Sequence, residues 1–109
     1  MTPQQAMDAC AAFPAVQLEY PFGPETAVFK VVGKMFAATN ESLITLKADP
    51  EDARALVATF DEVTPGYHMN KKHWISVTLP SRSAPLDELI RDSYDLVVAS
   101  LPRAQRPTP

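Results

Sequence analysis

The sequence has little cysteine and little glycine, and it has no long apolar run. Its single cysteine, Cys10, excludes an internal disulfide and has no cationic neighbour in sequence that would activate a thiolate. Three glycines exclude a glycine-rich phosphate-binding loop. No apolar stretch approaches the roughly 18 residues that a membrane span needs, and a signal-peptide pattern is missing. We therefore expect a cytoplasmic protein with a buried, unreactive cysteine.

The sequence also lacks an excess of positive charge. Ten Lys and Arg stand against 13 Asp and Glu, which gives a net charge of -3. This balance argues against a protein that coats nucleic acid with its whole surface, because such binding is driven by clustered Lys and Arg. Any contact with a polyanion must therefore come from a local basic patch.

Three segments have the sequence pattern of amphipathic helices. The first, 2–13, begins with a Thr-x-x-Gln capping box. The second, 49–60, begins with an Asp-Pro pair that supplies a cap and a first-turn proline. The third, 83–101, has a continuous apolar stripe and ends before a proline.

Strand patterns fill the sequence between the first two helices. The apolar and β-branched runs 27–32, 35–39 and 43–47 predict three strands of an antiparallel meander, after a further short extended piece. Gly33-Lys34 separates the first two strands, as the two-residue turn of a hairpin does. The alternating segment 73–79 predicts one more strand after the second helix.

This order of elements predicts an α+β fold of two layers. Consecutive strands joined by tight turns imply an antiparallel sheet, and three helices suffice to cover about one of its faces. We expect the order α-β-β-β-(β)-α-β-α in a single domain over 1–102, followed by a flexible Pro-rich tail over 103–109. The other sheet face remains for water or a partner.

The residue types of catalysis and metal binding are present without a recognisable site. His68 and His73 lack the further ligands that a metal ion needs. The acidic residues are explained by first turns of helices or by solvated helix faces, and no serine lies in a Gly-x-Ser-x-Gly motif. The acidic residues in question are Glu51, Asp52, Asp61, Glu62, Asp87, Glu88, Asp92 and Asp95. We therefore expect no catalytic residue, no metal and no cofactor.

The most unusual segment is 65-PGYHMNKKHW-74, which carries two lysines and two histidines without an acid. Two interpretations remain open. Aromatic residues interleaved with lysines are typical of surfaces that contact bases and phosphates. Alternatively, Tyr67 and Trp74 pack beside the core and the lysines are only solvated. Three more lysines lie on or next to predicted strands and join the segment if the strand order permits: Lys30, Lys34 and Lys47.

Four segments are distinctive in sequence and spacing: 21-PFGPETAVFKVVGKMFA-37, 46-LKADPE-51, 65-PGYHMNKKHWISV-77 and 93-SYDLV-97. Together they resemble the MmcQ/YjbR family of small bacterial proteins. The resemblance implies a CyaY-like α+β fold, with an antiparallel sheet packed against helices. It also implies DNA binding, because the sheet of such proteins is similar to a double-wing module.

The residues and the resemblance together predict a small, non-enzymatic DNA-binding or regulatory module, monomeric and without a membrane partner. We expect the lysines to neutralise phosphates, the histidines and asparagine to donate hydrogen bonds, and the aromatic rings to stack on bases or brace the loop. The candidate contacts are Lys30, Lys34, Lys47, Tyr67, His68, Asn70, Lys71, Lys72, His73 and Trp74.

Two alternatives remain. The first is a module that binds a protein or a small anionic ligand on the exposed sheet face, for which we expect an apolar concavity around Phe22, Phe36 and Trp74. The second is an enzyme with His68 or His73 as a base, for which the sequence offers no partner group nearby.

Overall fold

The computed structural model describes residues 1–66 and 69–108, which form a six-stranded sheet and three α-helices. The elements are α1 (Pro3–Ala11), β1 (Val16–Glu19), β2 (Ala27–Val31), β3 (Lys34–Thr39), β4 (Leu43–Lys47), α2 (Pro50–Thr59), β5 (Val63–Pro65), β6 (Trp74–Thr78) and α3 (Leu86–Ala99). A short 3-10 turn, Arg103–Gln105, follows α3. In the described part of the chain, no helix combines the length and apolar content that crossing a membrane requires.

The α+β class predicted from the sequence is confirmed, with one strand more than the predicted order. The additional strand is β5, which has three residues and ends in Pro65. A segment this short has no measurable alternation, and its proline is a signal for a turn, so local sequence does not reveal the strand.

The predicted helix caps of α1 and α2 are confirmed. Thr2 Oγ1 accepts a hydrogen bond from Gln5 N at 3.1 Å, and Gln5 Oε1 accepts one from Thr2 N at 2.9 Å. Asp49 Oδ1 accepts a hydrogen bond from Glu51 N at 3.0 Å. Each cap satisfies an N–H group that a helix leaves unpaired at its start. The caps therefore fix the residues at which the chain enters both helices.

All neighbouring strands are antiparallel, in the order β1-β2-β3-β4-β6-β5. The strands β2 and β4 run in one direction, and β3 and β6 run in the opposite direction. The ends of β2 and β4 and the starts of β3 and β6 consequently lie at the same end of the sheet.

One face of the sheet packs against the helices and forms the core. Phe36 and Tyr94 meet edge to face with ring centroids 5.3 Å apart, and Phe13 stacks on Tyr94 at 4.6 Å. Cys10 is buried as predicted, and burial raises the pKa of its thiol to about 12. The core therefore holds this thiol in its protonated, unreactive form.

A bulge in β3 turns Phe36 toward the helices. Phe29 pairs with Ala37, whereas the next residue, Lys30, pairs with Met35. Phe36 is thus an extra residue that has no direct partner on β2. Its ring is completely buried among the aromatic residues of the core.

Ser93 of α3 bridges β3 and β4 beside this bulge. The β3–β4 pairing ends at Ala37 and Leu46. Just beyond them, Ser93 Oγ accepts a hydrogen bond from Lys47 N at 2.8 Å and donates one to Phe36 O. The hydroxyl group therefore satisfies two backbone groups that the strands do not satisfy between themselves.

The β2–β3 turn lies one residue earlier than predicted. Val31 pairs with Lys34, so the turn consists of Val32 and Gly33, and Lys34 is the first residue of β3. Both turn residues have positive φ, 48° at Val32 and 77° at Gly33, as in a type I′ turn. A β-branched side chain is strained at this φ, and Val32 is 42% exposed, so packing does not explain it.

Glu62 anchors the segment that connects β6 to α3. Its carboxylate accepts hydrogen bonds of 2.6 to 3.1 Å from Ser81 Oγ and from the backbone N–H groups of residues 82–84. Desolvation raises the pKa of Glu62, but these hydrogen bonds outweigh it and lower the pKa from 4.5 to about 2. The solvated helix face predicted for Glu62 is wrong, because α2 ends at Thr59.

Val32→Asn should stabilise the fold, because asparagine tolerates positive φ at the first position of a type I′ turn. We expect a gain of about 1 kcal/mol in the free energy of unfolding, or roughly 4 °C in Tm. Thermal denaturation measures it. Val32→Thr, which is polar but still β-branched, is the matched control and should give no gain. An equal gain from both variants would show that polarity matters and backbone strain does not.

Ser93→Ala should destabilise the fold by about 1 to 3 kcal/mol, because it leaves two buried backbone groups without a partner. Urea denaturation measures the loss. Ser100→Ala is the control, since Ser100 Oγ donates only to Val97 O within the same exposed helix end. Equal losses in the two variants would contradict the bridging role of Ser93.

Glu62→Gln should remove a stabilisation that depends on pH. The folded-state pKa of about 2 lies below the unfolded value of about 4.5, so the wild-type advantage is complete above pH 4.5 and disappears as the pH falls toward 2. The Tm difference between wild type and variant, measured from neutral to acid pH, tests this. Asp61→Asn removes the neighbouring charge without these hydrogen bonds and serves as control. A Glu62→Gln difference that is constant with pH would contradict the prediction.

Candidate nucleic-acid interface

The sheet face away from the helices has short side chains at its centre. Val28, Ala38, Thr45 and Ser76 are directly paired in one row across β2, β3, β4 and β6. Thr45 Oγ1 and Ser76 Oγ are hydrogen-bonded at 2.9 Å. Val28 is buried but does not belong to the core cluster, which agrees with its position on this second face. We term this surface the open face.

Longer side chains form the next row of the open face. Lys30, Lys47 and Trp74 are each two residues away from a member of the central row and therefore point to the same side. Lys47 pairs directly with Trp74, and Met35 pairs with Lys30. The row crosses four strands, a width of roughly 15 Å at the usual strand spacing. All four side chains are half-buried.

The strand order brings the candidate lysines to one end of the sheet. Lys30 and Lys47 lie near the ends of β2 and β4, and Lys34 begins β3. Lys71 and Lys72 lie in the loop before β6, separated from its first residue by His73. These strand ends are neighbours in the sheet. We term this region the lysine end; it comprises Lys30, Lys34, Lys47, Lys71 and Lys72.

One of these lysines is partly neutralised. Lys30 Nζ lies 3.1 Å from Glu19 Oε1, and this is the ion pair found within residues 1–66 and 69–108. Glu19 is on β1, next to β2 and on the same face. Most of the uncompensated positive charge of the lysine end therefore comes from its other members.

The described part of the 65–74 loop is held by its own hydrogen bonds. Asn70 Oδ1 accepts from Lys72 N, and Asn70 O accepts from His73 N, both at 3.0 Å. His73 O accepts from Ala48 N at 2.8 Å, which attaches the loop to the end of β4. Asn70 thus has a role in shaping the loop that the sequence does not predict. Within residues 69–74, the exposed residues are Asn70, Lys71, Lys72 and His73.

Two predicted contacts, Tyr67 and His68, lie outside the described residues. The adjacent Gly66 is buried, and its N–H donates to Trp74 O at 2.8 Å. A Cβ atom on Gly66 would lie 2.6 Å from Trp74 Cβ. Glycine at this position therefore allows the close approach of backbone that holds Trp74 in place.

The apolar concavity expected around Phe22, Phe36 and Trp74 is not formed. Phe36 is buried on the helix side, because the β3 bulge turns it into the core. Phe22 is 79% exposed in the connection after β1, at the opposite end of the sheet. Trp74 lies at the lysine end. The expectation was wrong because neither the bulge nor the strand directions are visible in local sequence.

Acidic side chains gather in the helix layer instead. Asp49, Asp52, Asp92 and Asp95 line a cleft of about 340 Å³ between α2 and α3. The helices cover the other side of the sheet, so this negative surface and the open face are on opposite sides. This part of the acidic charge thus lies on the side of the sheet opposite to Lys30, Lys47 and Trp74.

The titratable groups with shifted pKa values have structural explanations. Burial raises the pKa of Tyr94, with a smaller contribution from the charge of Asp95, and Tyr94 Oη donates to Pro14 O at 2.6 Å. Glu62 and Cys10 are explained above. In the described ranges, no three His, Cys, Asp or Glu side chains converge into a group that could hold a metal ion.

Two residues of this surface are missed by sequence reasoning. Met35 enters the row only through the β2–β3 register, and a correct assignment of the turn to 32–33 would have revealed it. Gly66 is interpreted as a turn signal, and its close contact with Trp74 requires the pairing of β5 and β6.

Relatives of the chain are found by sequence. The profile of the YjbR family matches residues 11–96. The chain is 46% identical over 95 residues to the uncharacterized protein YbdF of Escherichia coli O157:H7, which covers 81% of this chain and 77% of YbdF. It is 29% identical over 112 residues to the uncharacterized protein YjbR of E. coli K12, covering 97% and 95% of the two chains.

Solved structures show the same fold. A crystal structure of a Deinococcus radiodurans protein with a DUF419 domain superposes with a TM-score of 0.83 at 36% identity and covers 96% of this chain and 85% of that one. A Pseudomonas syringae crystal structure gives 0.73 at 28% identity and covers 88% and 98%. The profile match includes all six strands and the whole lysine end. The chain belongs to the YjbR family.

Proposed function

We propose that this chain is a small DNA-binding module, without catalytic activity, that holds DNA phosphates at its lysine end. The observation that carries the proposal is the strand order. It gathers Lys30, Lys34 and Lys47, from three different strands, beside the Lys71-Lys72 loop. The β3–β4 and β4–β6 pairings bring Lys47 and the Lys71-Lys72 loop to the same end of the sheet as Lys30 and Lys34.

The distribution of acidic residues supports the proposal. A net charge of -3 would repel a polyanion if it were spread evenly. Four acids instead line the α2–α3 cleft on the other side of the sheet. Glu19 is the acidic residue among the strand residues of the open face, and it pairs with Lys30. These cleft acids belong to the helix side of the sheet, and Asp49 among them follows Lys47 by two residues.

The exposure of the lysines suggests how they act. Lys34, Lys71 and Lys72 are exposed at the tips of the β2–β3 and β5–β6 connections, where an ammonium group reaches phosphates without desolvating the sheet. Lys47 is half-buried beside Trp74 and fixes the position of the bound strand more closely. Asn70 supports this surface indirectly by shaping the loop.

Replacing Lys71 and Lys72 together by Ala should weaken binding to DNA and flatten its salt dependence. The slope of log K against log salt should fall by about 0.7 to 0.9 for each lysine that contacts a phosphate. Fluorescence anisotropy with labelled duplex and single-stranded DNA, between about 50 and 200 mM salt, measures this slope.

The matched control removes the same charge from the helix layer. Arg54→Ala with Arg103→Ala replaces two exposed cations on α2 and after α3. This variant should keep the wild-type slope. Equal slope changes in both double variants would indicate a response to net charge alone, and a wild-type protein that binds neither form of DNA at low salt would end the proposal.

A further inference from the structure

We infer that the DNA held on the open face is single-stranded, with one base stacked on Trp74. The inference rests on the proposed function and specifies the form of its ligand. It comes from the arrangement of aromatic, small and cationic side chains on one face of the sheet.

Trp74 has the position of a stacking platform. It is half-buried on the open face, so part of the indole is supported by the sheet and part is accessible. Gly66, which directly follows β5, lies against the Cβ and backbone of Trp74 and leaves no room for a side chain between them. The backbone from which the indole projects is therefore fixed before a base stacks on the ring. Base–aromatic stacking of this kind is independent of sequence, because every base has a π-face.

The cations lie where the phosphates of a stacked nucleotide would be. Lys47 is directly opposite Trp74 on β4, with Cβ atoms about 5 Å apart at the usual spacing of such pairs. Lys71 and Lys72 precede Trp74 by three and two residues, with His73 between them and the tryptophan. A base on the indole would therefore have ammonium groups on two sides.

The flat centre of the open face favours a single strand over a duplex. Its central row consists of short side chains, and Thr45 and Ser76 are hydrogen-bonded to each other, with only 6% and 2% of their surfaces exposed. Nothing in this row projects far enough to read base edges in a major groove that is about 8.5 Å deep. In a duplex the base faces are also covered by their neighbours and cannot reach Trp74. Single-stranded bases can be splayed onto a sheet surface.

The chain contains one tryptophan, so its intrinsic fluorescence reports on Trp74 alone. The experiment is a titration of the wild-type protein with oligothymidylate and, separately, with a short DNA duplex. We expect saturable quenching by oligothymidylate and an affinity at least about tenfold higher than for the duplex. Trp74→Leu should weaken single-strand binding by about fivefold to a hundredfold, the range of base–aromatic stacking, while Trp74→Phe should retain most of the affinity.

Phe22→Leu is the matched control, because Phe22 is an exposed aromatic residue at the opposite end of the sheet. It should leave the affinity unchanged. If Trp74→Leu does not fold, the quenching of the wild-type protein still decides the question. Oligouridylate is a separate arm, and much tighter binding of this RNA would overturn the assignment to DNA.

The outcomes separate this inference from the proposed function. Duplex binding that depends on Lys71 and Lys72, without a change in tryptophan fluorescence, would leave the proposed function intact and overturn the inference. Single-strand binding with an unchanged tryptophan signal would also overturn the stacked base. A failure of both DNA forms to bind would remove both proposals.

Discussion

The structure depends on one constraint, namely that three helices cover only one face of a six-stranded sheet. The alternation of side chains sends apolar residues to the helix side and leaves every second position to the other side. Alanine, threonine and serine at the centre of that other side make it stable in water without a covering layer. Longer residues are confined to its margin, where Lys47 and Trp74 stand opposite each other. The same constraint that shapes the core therefore creates the surface on which the functional proposals rest.

Ser93 connects this surface to the helix layer. Its hydroxyl group contacts the backbone of Phe36 in the β3 bulge and of Lys47 at the end of β4. The lysine end includes these same ends of β3 and β4. The serine in the middle of the apolar stripe of α3 thus connects the helix to β3 and β4. The sequence indicates such a role, since a polar residue at a core-facing helix position needs a buried hydrogen-bond partner.

Local signals in the sequence predict the helices and the long strands. The features that the sequence does not reveal depend on contacts between residues far apart in the chain. Capping residues act within four positions of one another, so the starts of α1 and α2 follow directly. The pairing of β6 with β4 joins Ser76 to Thr45 across 31 residues, and no local pattern encodes that distance. The lysines could be chosen by charge and neighbourhood, but their convergence depends on this pairing. The strained turn at Val32 was misassigned by one residue because a β-branched residue is the least expected one at positive φ.

The two edges of the sheet differ in their capacity to recruit another strand. Directly after β5, the N–H of Gly66 points toward β6 and donates to Trp74 O, so by alternation the nitrogen of Pro65 faces outward. Because proline has no N–H there, this edge cannot complete a regular ladder with a second chain. The edge of β1, with the sequence Val-Gln-Leu-Glu, has no such block. If a second chain adds a strand to the sheet in concentrated solution, it therefore pairs with β1. This edge lies across the sheet from β6, which carries Trp74.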